Sequence, residues 1–183
     1  MSINFQVFNS NDANYLKVID LYKEAFPSAQ RIPTFVLRYK LRNGPKSFNV
    51  LYENDKWVGL IYCTYYQDIV FVQCLAIAEQ FRSKGYPSKV KNTMSGMYPN
   101  KRIVLNIEQI DTRAKNLQQR VKRIAFYEKN GFTSTGFLVA EPGETHEMLI
   151  RGGNINQEEI ESMYKSLFGK VIGFCIRPKV IKI

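Results

Sequence analysis

The stretch 70–90, "VFVQCLAIAEQFRSKGYPSKV", decides the fold, because its character changes twice along its length. Its first part continues an apolar, β-branched run from Ile69 and reads as a strand buried on both faces, hence central in its sheet. The middle part, "EQFRSKGYPS", combines basic residues with a glycine and a proline and reads as a loop. Beyond it Val90, Met94, Met97 and Tyr98 recur at helical spacing until Pro99. A basic, glycine-containing loop between a strand and a helix is a natural phosphate cradle. The first helical turn has backbone N–H groups without internal partners and carries the positive end of the helix dipole. Gly85 lets the backbone approach a ligand closely, and Arg82 and Lys84 add charge. Neither GxxxxGK[ST] nor GxGxxG occurs in the chain, which removes two common phosphate-binding alternatives.

Upstream, Tyr15, Val18, Ile19, Tyr22 and Phe26 predict an amphipathic helix over 12–25, capped at Asn11 or Asp12. A short second helix is expected around Thr34 to Arg42, ended by "NGP". "SFNVLYE" and "KWVGLIYCTYY" read as a hairpin turning at "NDK". Downstream, "RIVLNIE" reads as a strand. Leu117, Val121, Ile124 and Ala125 form a helical stripe closed by Gly131, and "FTSTGFLVA" and "THEMLIR" form a last strand pair. Asn156 and Glu159 suggest a capping box for a further helix with stripe Ile160, Met163, Tyr164, Leu167 and Phe168, ending at Gly169. The apolar, basic tail "KVIGFCIRPKVIKI" can pack on the domain, pair with a sheet edge or mediate a homodimer. Alternating elements flanked by consecutive strands predict a mixed α/β (α+β) sheet with helices packed on it.

Composition narrows the chemistry. A length of 183 residues fits one domain with a full-sized core. The longest run without a charge or turn residue, Ile69 to Ala78, is too short for a membrane helix, and "MSINFQVF" lacks the features of a signal peptide, so a cytoplasmic protein is expected. Cys63, Cys74 and Cys175 are odd in number and widely spaced, and His146 is the sole histidine, so neither a disulfide framework nor a metal site is expected. Net charge is +10, and the stretch from Arg82 to Lys129 carries 12 basic residues against Glu108, Asp111 and Glu128. Such a cluster favours an anionic partner, nucleic acid or a small polyphosphate. Against nucleic acid, "KGYPSKVK" begins like an RNA-recognition motif but departs after three residues, and aromatic residues do not interleave the basic cluster.

"LAIAEQFRSKGYPS" and "FYEKNGF", with a strand between them, together resemble the GNAT family of acetyl-CoA-dependent N-acetyltransferases. That family's pattern is a strand, R/Q-x-x-G-x-G/A, a helix, a strand, then a helix ending aromatic-Tyr-x-x-x-Gly-Phe. Here the first motif reads Arg82-Ser83-Lys84-Gly85-Tyr86-Pro87 and the second Phe126-Tyr127-Glu128-Lys129-Asn130-Gly131-Phe132. The resemblance runs from Ile69 to Phe132, follows the element order over 3–151, and leaves 152–183 outside. It implies a GNAT-like, mostly antiparallel sheet flanked by helices: a single domain over 1–183, with core 1–151 and a C-terminal helical extension over 152–183.

The resemblance also implies roles. Backbone groups of Leu75, Ala76 and Ile77 would follow the pantetheine arm, an N–H there polarising the thioester carbonyl. Arg82, Ser83, Lys84, Gly85, Tyr86, Pro87 and Ser88 would hold the pyrophosphate. Tyr127 would protonate the departing thiolate. The reaction implied is direct attack on acetyl-CoA by the primary amine of a small molecule or peptide, with no metal. An ammonium group with a pKa of about 10 must first lose a proton, so a base is needed. Strand alternation puts Val104, Asn106 and Glu108 on one face and makes Glu108 the candidate, with Glu79, Tyr65 and Tyr66 as rivals. Two positions depart from the pattern. Pro87 replaces Gly/Ala and has no N–H to donate. Arg120 replaces an asparagine often found there, and can either contact phosphate or face solvent. Cys74 allows a ping-pong route or is a buried small hydrophobe. A GNAT-fold binding module without catalysis is the alternative if Pro87 marks a degraded site. The positive charge disfavours polycationic acceptors unless Glu53, Asp55 or Asp68 forms an acidic pocket.

Overall fold

The computed structural model describes residues 3–9, 12–25, 48–114, 116–141, 144–175 and 179–183. The helix expected at Thr34 to Arg42 lies outside them. The chain divides into two compact units, Met1–Cys63 with Val72–Pro99, and Thr64–Phe71 with Asn100–Ile183.

The first unit contains strand β1 (Asn4–Val7), helix α1 (Tyr15–Ala25), β2 (Phe48–Glu53), most of β3 (Lys56–Tyr66) and β4 (Ile69–Ile77), and helix α2 (Tyr86–Met97), with strand order β1-β2-β3-β4. β1 and β2 pair antiparallel with Phe5 opposite Leu51, and β2 and β3 pair antiparallel with Val50 opposite Leu60. Asn54 and Asp55 turn the β2–β3 hairpin with φ of 46° and 60°, the left-handed pair that matches strand twist in a two-residue turn. β1 was not expected from the sequence, since four residues give too little alternation to register. α1 starts at Tyr15 rather than 12, because Asp12 first makes a turn: its Oδ1 accepts the Asn14 N–H at 2.7 Å and its carbonyl accepts the Tyr15 N–H at 2.9 Å. Phe48 is the aromatic centre of this core, with ring centroids 5.3 Å from Phe8, 5.9 Å from Tyr62 and 6.4 Å from Tyr22. Truncating so enclosed a ring costs about 3–5 kcal/mol.

The second unit contains the tip of the β3–β4 hairpin, β5 (Arg102–Glu108), helix α3 (Leu117–Lys129), β6 (Thr133–Glu141), β7 (Glu144–Arg151), helix α4 (Gln157–Cys175) and β8 (Lys179–Lys182). Its strand order is β5-β7-β6-β8, every neighbouring pair antiparallel. Val104, Val139, Met148 and Ile150 pack with Ile160, Met163 and Tyr164 of α4. The capping box at the start of α4 is present: the Glu159 N–H donates to Asn156 Oδ1 at 2.9 Å, and the Asn156 N–H donates to Glu159 Oε2 at 3.1 Å.

Three local expectations are corrected. α4 passes through Gly169 and Gly173 to Cys175, because each interior glycine weakens a helix by only about 1 kcal/mol and no proline follows until Pro178. Met97 is 49% exposed, since α2 ends on it. The α3 stripe is not buried: Val121 is 44% exposed and no residue of that helix is fully covered. The tail takes the sheet-edge option, with Ile181 of β8 opposite Leu138 of β6. No helix among the described residues is long and apolar enough to cross a membrane.

Candidate active site

The expected site residues fall in both units.

In the first unit Leu75, Ala76 and Ile77 end β4, with Ala76 and Ile77 buried and Leu75 half-buried. β3 runs very close to this end. A Cβ on Gly59 would sit 2.2 Å from the Ala76 carbonyl oxygen, so only glycine fits there. Gly59 was missed as a site-shaping residue, although an isolated glycine inside "KWVGLIYC" is the signal for a close backbone approach. After β4, Glu79–Phe81 makes one 3-10 turn and residues 82–85 lead into α2.

Gly85 is the N-cap of α2 with φ 76° and ψ 7°, no side chain caps the helix, and Pro87 lies in its first turn. A Cβ on Gly85 would meet nothing within 4 Å, so the left-handed backbone is what requires glycine there. Ser83 is also left-handed, with φ 59°, in a loop that is exposed from Arg82 to Gly85. The basic side chains fold back on the protein. Arg82 Nε donates to the Ile77 carbonyl at 3.1 Å and its Nη2 to Glu24 at 2.6 Å, while Lys84 Nζ donates to the Gln80 carbonyl at 2.8 Å. Below the turn, Tyr86 is buried and donates its hydroxyl to Glu53 at 2.6 Å, with the Phe81 ring edge-on at 5.2 Å. Pro87 and Ser88 are half-buried. Beside the turn a concavity of about 420 Å³ is bounded by Asp20 and Glu24 of α1, Trp57 and Glu79. Cys74 belongs to this unit's core, and burial pushes its thiol well above the ordinary range, with Cys63 nearby adding to the shift.

In the second unit Tyr127 lies in the last turn of α3, stacked edge-on against Phe126 at 5.2 Å and Phe132 at 5.4 Å. Burial pushes its phenol up, with Arg123 opposing in part. The alternation expected in β5 holds: Val104 is in the core, Asn106 donates to the Tyr164 hydroxyl at 2.7 Å, and Glu108 ends the strand. Both Glu108 oxygens are engaged, Oε2 by Arg123 Nη1 and Oε1 by Asn116 Nδ2 at 3.2 Å. Arg120 is held by the preceding loop, its Nε donating to Asn116 Oδ1 at 2.8 Å and its Nη1 to the Gln109 carbonyl at 2.7 Å. The rivals Tyr65 and Tyr66 lie at the β3 end of the hairpin tip, where Gln67 donates to the Tyr66 hydroxyl at 3.3 Å. His146 is buried in β7, opposite Glu108 in register.

The fold is antiparallel-rich α/β, with a strand leading through a glycine-capped turn into a helix, the element order that the motifs implied. The acetyltransferase (GNAT) family model matches residues 15–132, more than half of the chain, and the chain belongs to that family. Searched against curated proteins, the sequence finds no match. Among solved structures, a Bacteroides thetaiotaomicron protein assigned to the GNAT acetyltransferases superposes with a TM-score of 0.75 at 20% identity, covering 93% of this chain and 98% of that one. Arabidopsis thaliana Naa50, bound to the bisubstrate analogue CoA-Ac-MVNAL, has a TM-score of 0.58 at 20% identity, covering 82% and 99%. The ribosomal-protein-S18-alanine N-acetyltransferase of Escherichia coli has a TM-score of 0.58 at 12% identity, covering 85% and 97%. Identities this low carry the fold alone.

Proposed function

We propose that the chain transfers an acetyl group from acetyl-CoA to a primary amine, of a small molecule or a peptide, by direct nucleophilic attack. The observation that carries this reading is the turn after β4. A left-handed Gly85 opens α2 without a side-chain cap bond, and a helix start of this kind suits an anion in a member of this family. Because Arg82 and Lys84 are bonded back to the protein, the backbone of 82–88 rather than those two charges is what meets a pyrophosphate. Structural neighbours such as Naa50, bound to a CoA-peptide analogue, support this choice of co-substrate and acceptor class.

In this reading the backbone of Leu75, Ala76 and Ile77 lines the thioester arm and polarises its carbonyl. The amine nitrogen attacks that carbon, the C–S bond breaks, and the sulfur takes up the Tyr127 proton. Glu108 serves as base for the ammonium proton only after release from Arg123, which makes that ion pair part of the proposal. Cys74 takes no part, since a thiol held protonated by burial is a poor nucleophile. Calorimetric titration with acetyl-CoA, followed by thiol-release assays across an amine panel, tests the reading. Micromolar binding with amine-dependent release of CoA supports it. An intact fold that binds no acetyl-CoA at millimolar concentration sinks it in favour of a non-catalytic binding module.

A further inference from the structure

The turn that meets the cofactor is conformationally expensive. Ser83 is a non-glycine residue held in the left-handed region, φ 59°, and the cap residue of the helix that follows, Gly85, makes no side-chain bond to it. Arg82 and Lys84 tie down the start of the turn, and a second hold on the helix itself comes from the neighbouring hairpin. Glu53, the last residue of β2, is only 12% exposed at its side chain and divides its two oxygens between two residues of α2. Oε2 accepts the Tyr86 hydroxyl at 2.6 Å, and Oε1 accepts Lys89 Nζ at 2.5 Å. Tyr86 and Lys89 bracket Pro87 and Ser88 on the first turn. Lys89 Nζ also lies 4.6 Å over the Tyr86 ring, and that ring is braced by Phe81 at the loop's other end. Glu53 itself stands on a rigid base, paired in register with Lys56 across the Asn54–Asp55 turn.

We infer that Glu53 is a positioning residue for the cofactor turn: through Tyr86 and Lys89 it fixes the first turn of α2 in its phosphate-binding shape. The inference rests on the acetyl-CoA reading above. Electrostatics gives it a decisive sign. Glu53 is a carboxylate beneath an anion site, and it neutralises Lys89. If it acted only as a charge, its removal would free that ammonium and tighten CoA binding. If it positions the turn, its removal loosens the turn and weakens binding despite the gain in positive charge.

The experiment titrates CoA into wild type, Glu53→Ala, Tyr86→Phe and the double variant, with amide hydrogen exchange across 82–90 in the free proteins. The expected result is a Kd raised about tenfold by Glu53→Ala, with little further loss in the double variant, since both substitutions cut one network. Faster exchange at 82–90 and a raised KM for acetyl-CoA, with kcat within about twofold, accompany it. Wild type that binds CoA together with a Glu53→Ala variant that binds it equally or more tightly overturns the inference and leaves the acetyl-CoA reading standing. Wild type that binds no CoA overturns both. Tyr86→Phe keeps the ring's packing, so it reports on the network even where Glu53→Ala fails to fold.

Discussion

The backbone N–H of Phe132 donates to the carbonyl of Tyr127 at 3.1 Å, and their rings meet edge-on at 5.4 Å. The Gly131 N–H donates to the Glu128 carbonyl at 2.9 Å with φ 80° at the glycine, which completes a Schellman ending with its hydrophobic contact. The sequence "FYEKNGF" is therefore a helix stop that uses Tyr127 as one of its own packing surfaces. It fixes the position of the proposed acid through local bonds. Gly131→Ala tests the stop. The new Cβ meets only the Arg151 side chain, at 3.8 Å, so the penalty is backbone strain of about 1–2 kcal/mol. A fall of roughly 2–8 °C in Tm by calorimetry is expected.

Tyr127→Phe separates packing from proton transfer. The phenol has no hydrogen-bond partner among the described residues, so removal of its oxygen should leave Tm within about 1 °C. A fall in kcat of about 10²-fold or more is expected if it protonates the thiolate. Burial raises its folded pKa above the ordinary value of about 10. Its contribution to stability is therefore fully present below about pH 10 and lost as pH rises through the folded value. The wild-type kcat profile should show no loss of this acid below about pH 10; a basic limb near pH 8 that Tyr127→Phe abolishes would contradict the environment described here.

Much of this was readable from the sequence because it is local. The stop at Gly131, the turn at Gly85 and the capping box at Asn156 each close within a few residues, and each has a residue type that backbone geometry demands. What was not readable is the pairing of charges across the fold. Glu53 meets Tyr86 and Lys89 across 33 and 36 residues, and Arg82 meets Glu24 across 58. Periodicity gives the face a side chain takes, not the partner waiting there. Glu108 shows both sides of this: alternation put it at the right place on β5, while its occupation by Arg123 depended on where α3 docks. Gly169 went wrong because a glycine permits a helix end without imposing one.

Cys63 and Cys74 should be inert in the folded protein. Burial pushes the Cys63 thiol up to about 12, and that of Cys74 is raised by the same cause. At pH 8 neither should react with iodoacetamide over an hour, while both react in guanidinium; rapid native alkylation of Cys74 would revive a covalent route. The linkage sign follows from the raised values. Stability from these thiols is fully present below the unfolded pKa of about 8.5 and erodes as pH climbs from there toward about 12. Cys74→Ala should preserve kcat within a few fold while lowering Tm.

Arg102 ties the β3–β4 hairpin tip to the start of α4. Its Nε and Nη2 donate to the two Asp68 oxygens at 2.8 and 2.7 Å, Nη2 also reaches Glu159 at 2.8 Å, and Nη1 reaches the Asn154 carbonyl at 2.6 Å. The guanidinium holds Asp68 and Glu159 below the usual carboxylate range. With depressed folded values, their contribution is present above the unfolded pKa values of about 4 and disappears as pH falls through the folded ones. Arg102→Met should cost about 1–3 kcal/mol at pH 7, discounted for partial exposure of both carboxylates. Denaturant melts at pH 7 and pH 3 check this. The difference between wild type and variant should shrink at the lower pH, and an equal difference at both would mean that the loss is one of packing.

Pro87 gives the sharpest test of how the turn binds its ligand. It stands in the first turn of α2 and has no N–H to donate to the pyrophosphate of the proposed co-substrate. Pro87→Ala restores that donor. A hydrogen bond to a charged group contributes about 1.5–3 kcal/mol, so CoA affinity should rise about ten- to a hundredfold if the first-turn amides are the phosphate contacts. Proline also stiffens the unfolded chain and is tolerated in the first helical turn, so the same substitution should lower stability by up to about 1 kcal/mol. Tighter binding combined with a lower Tm is the expected signature, read by calorimetry on one protein preparation. Unchanged affinity would mean that the ligand's charge is met elsewhere along 82–88, and that the missing donor at Pro87 carries no penalty in this protein.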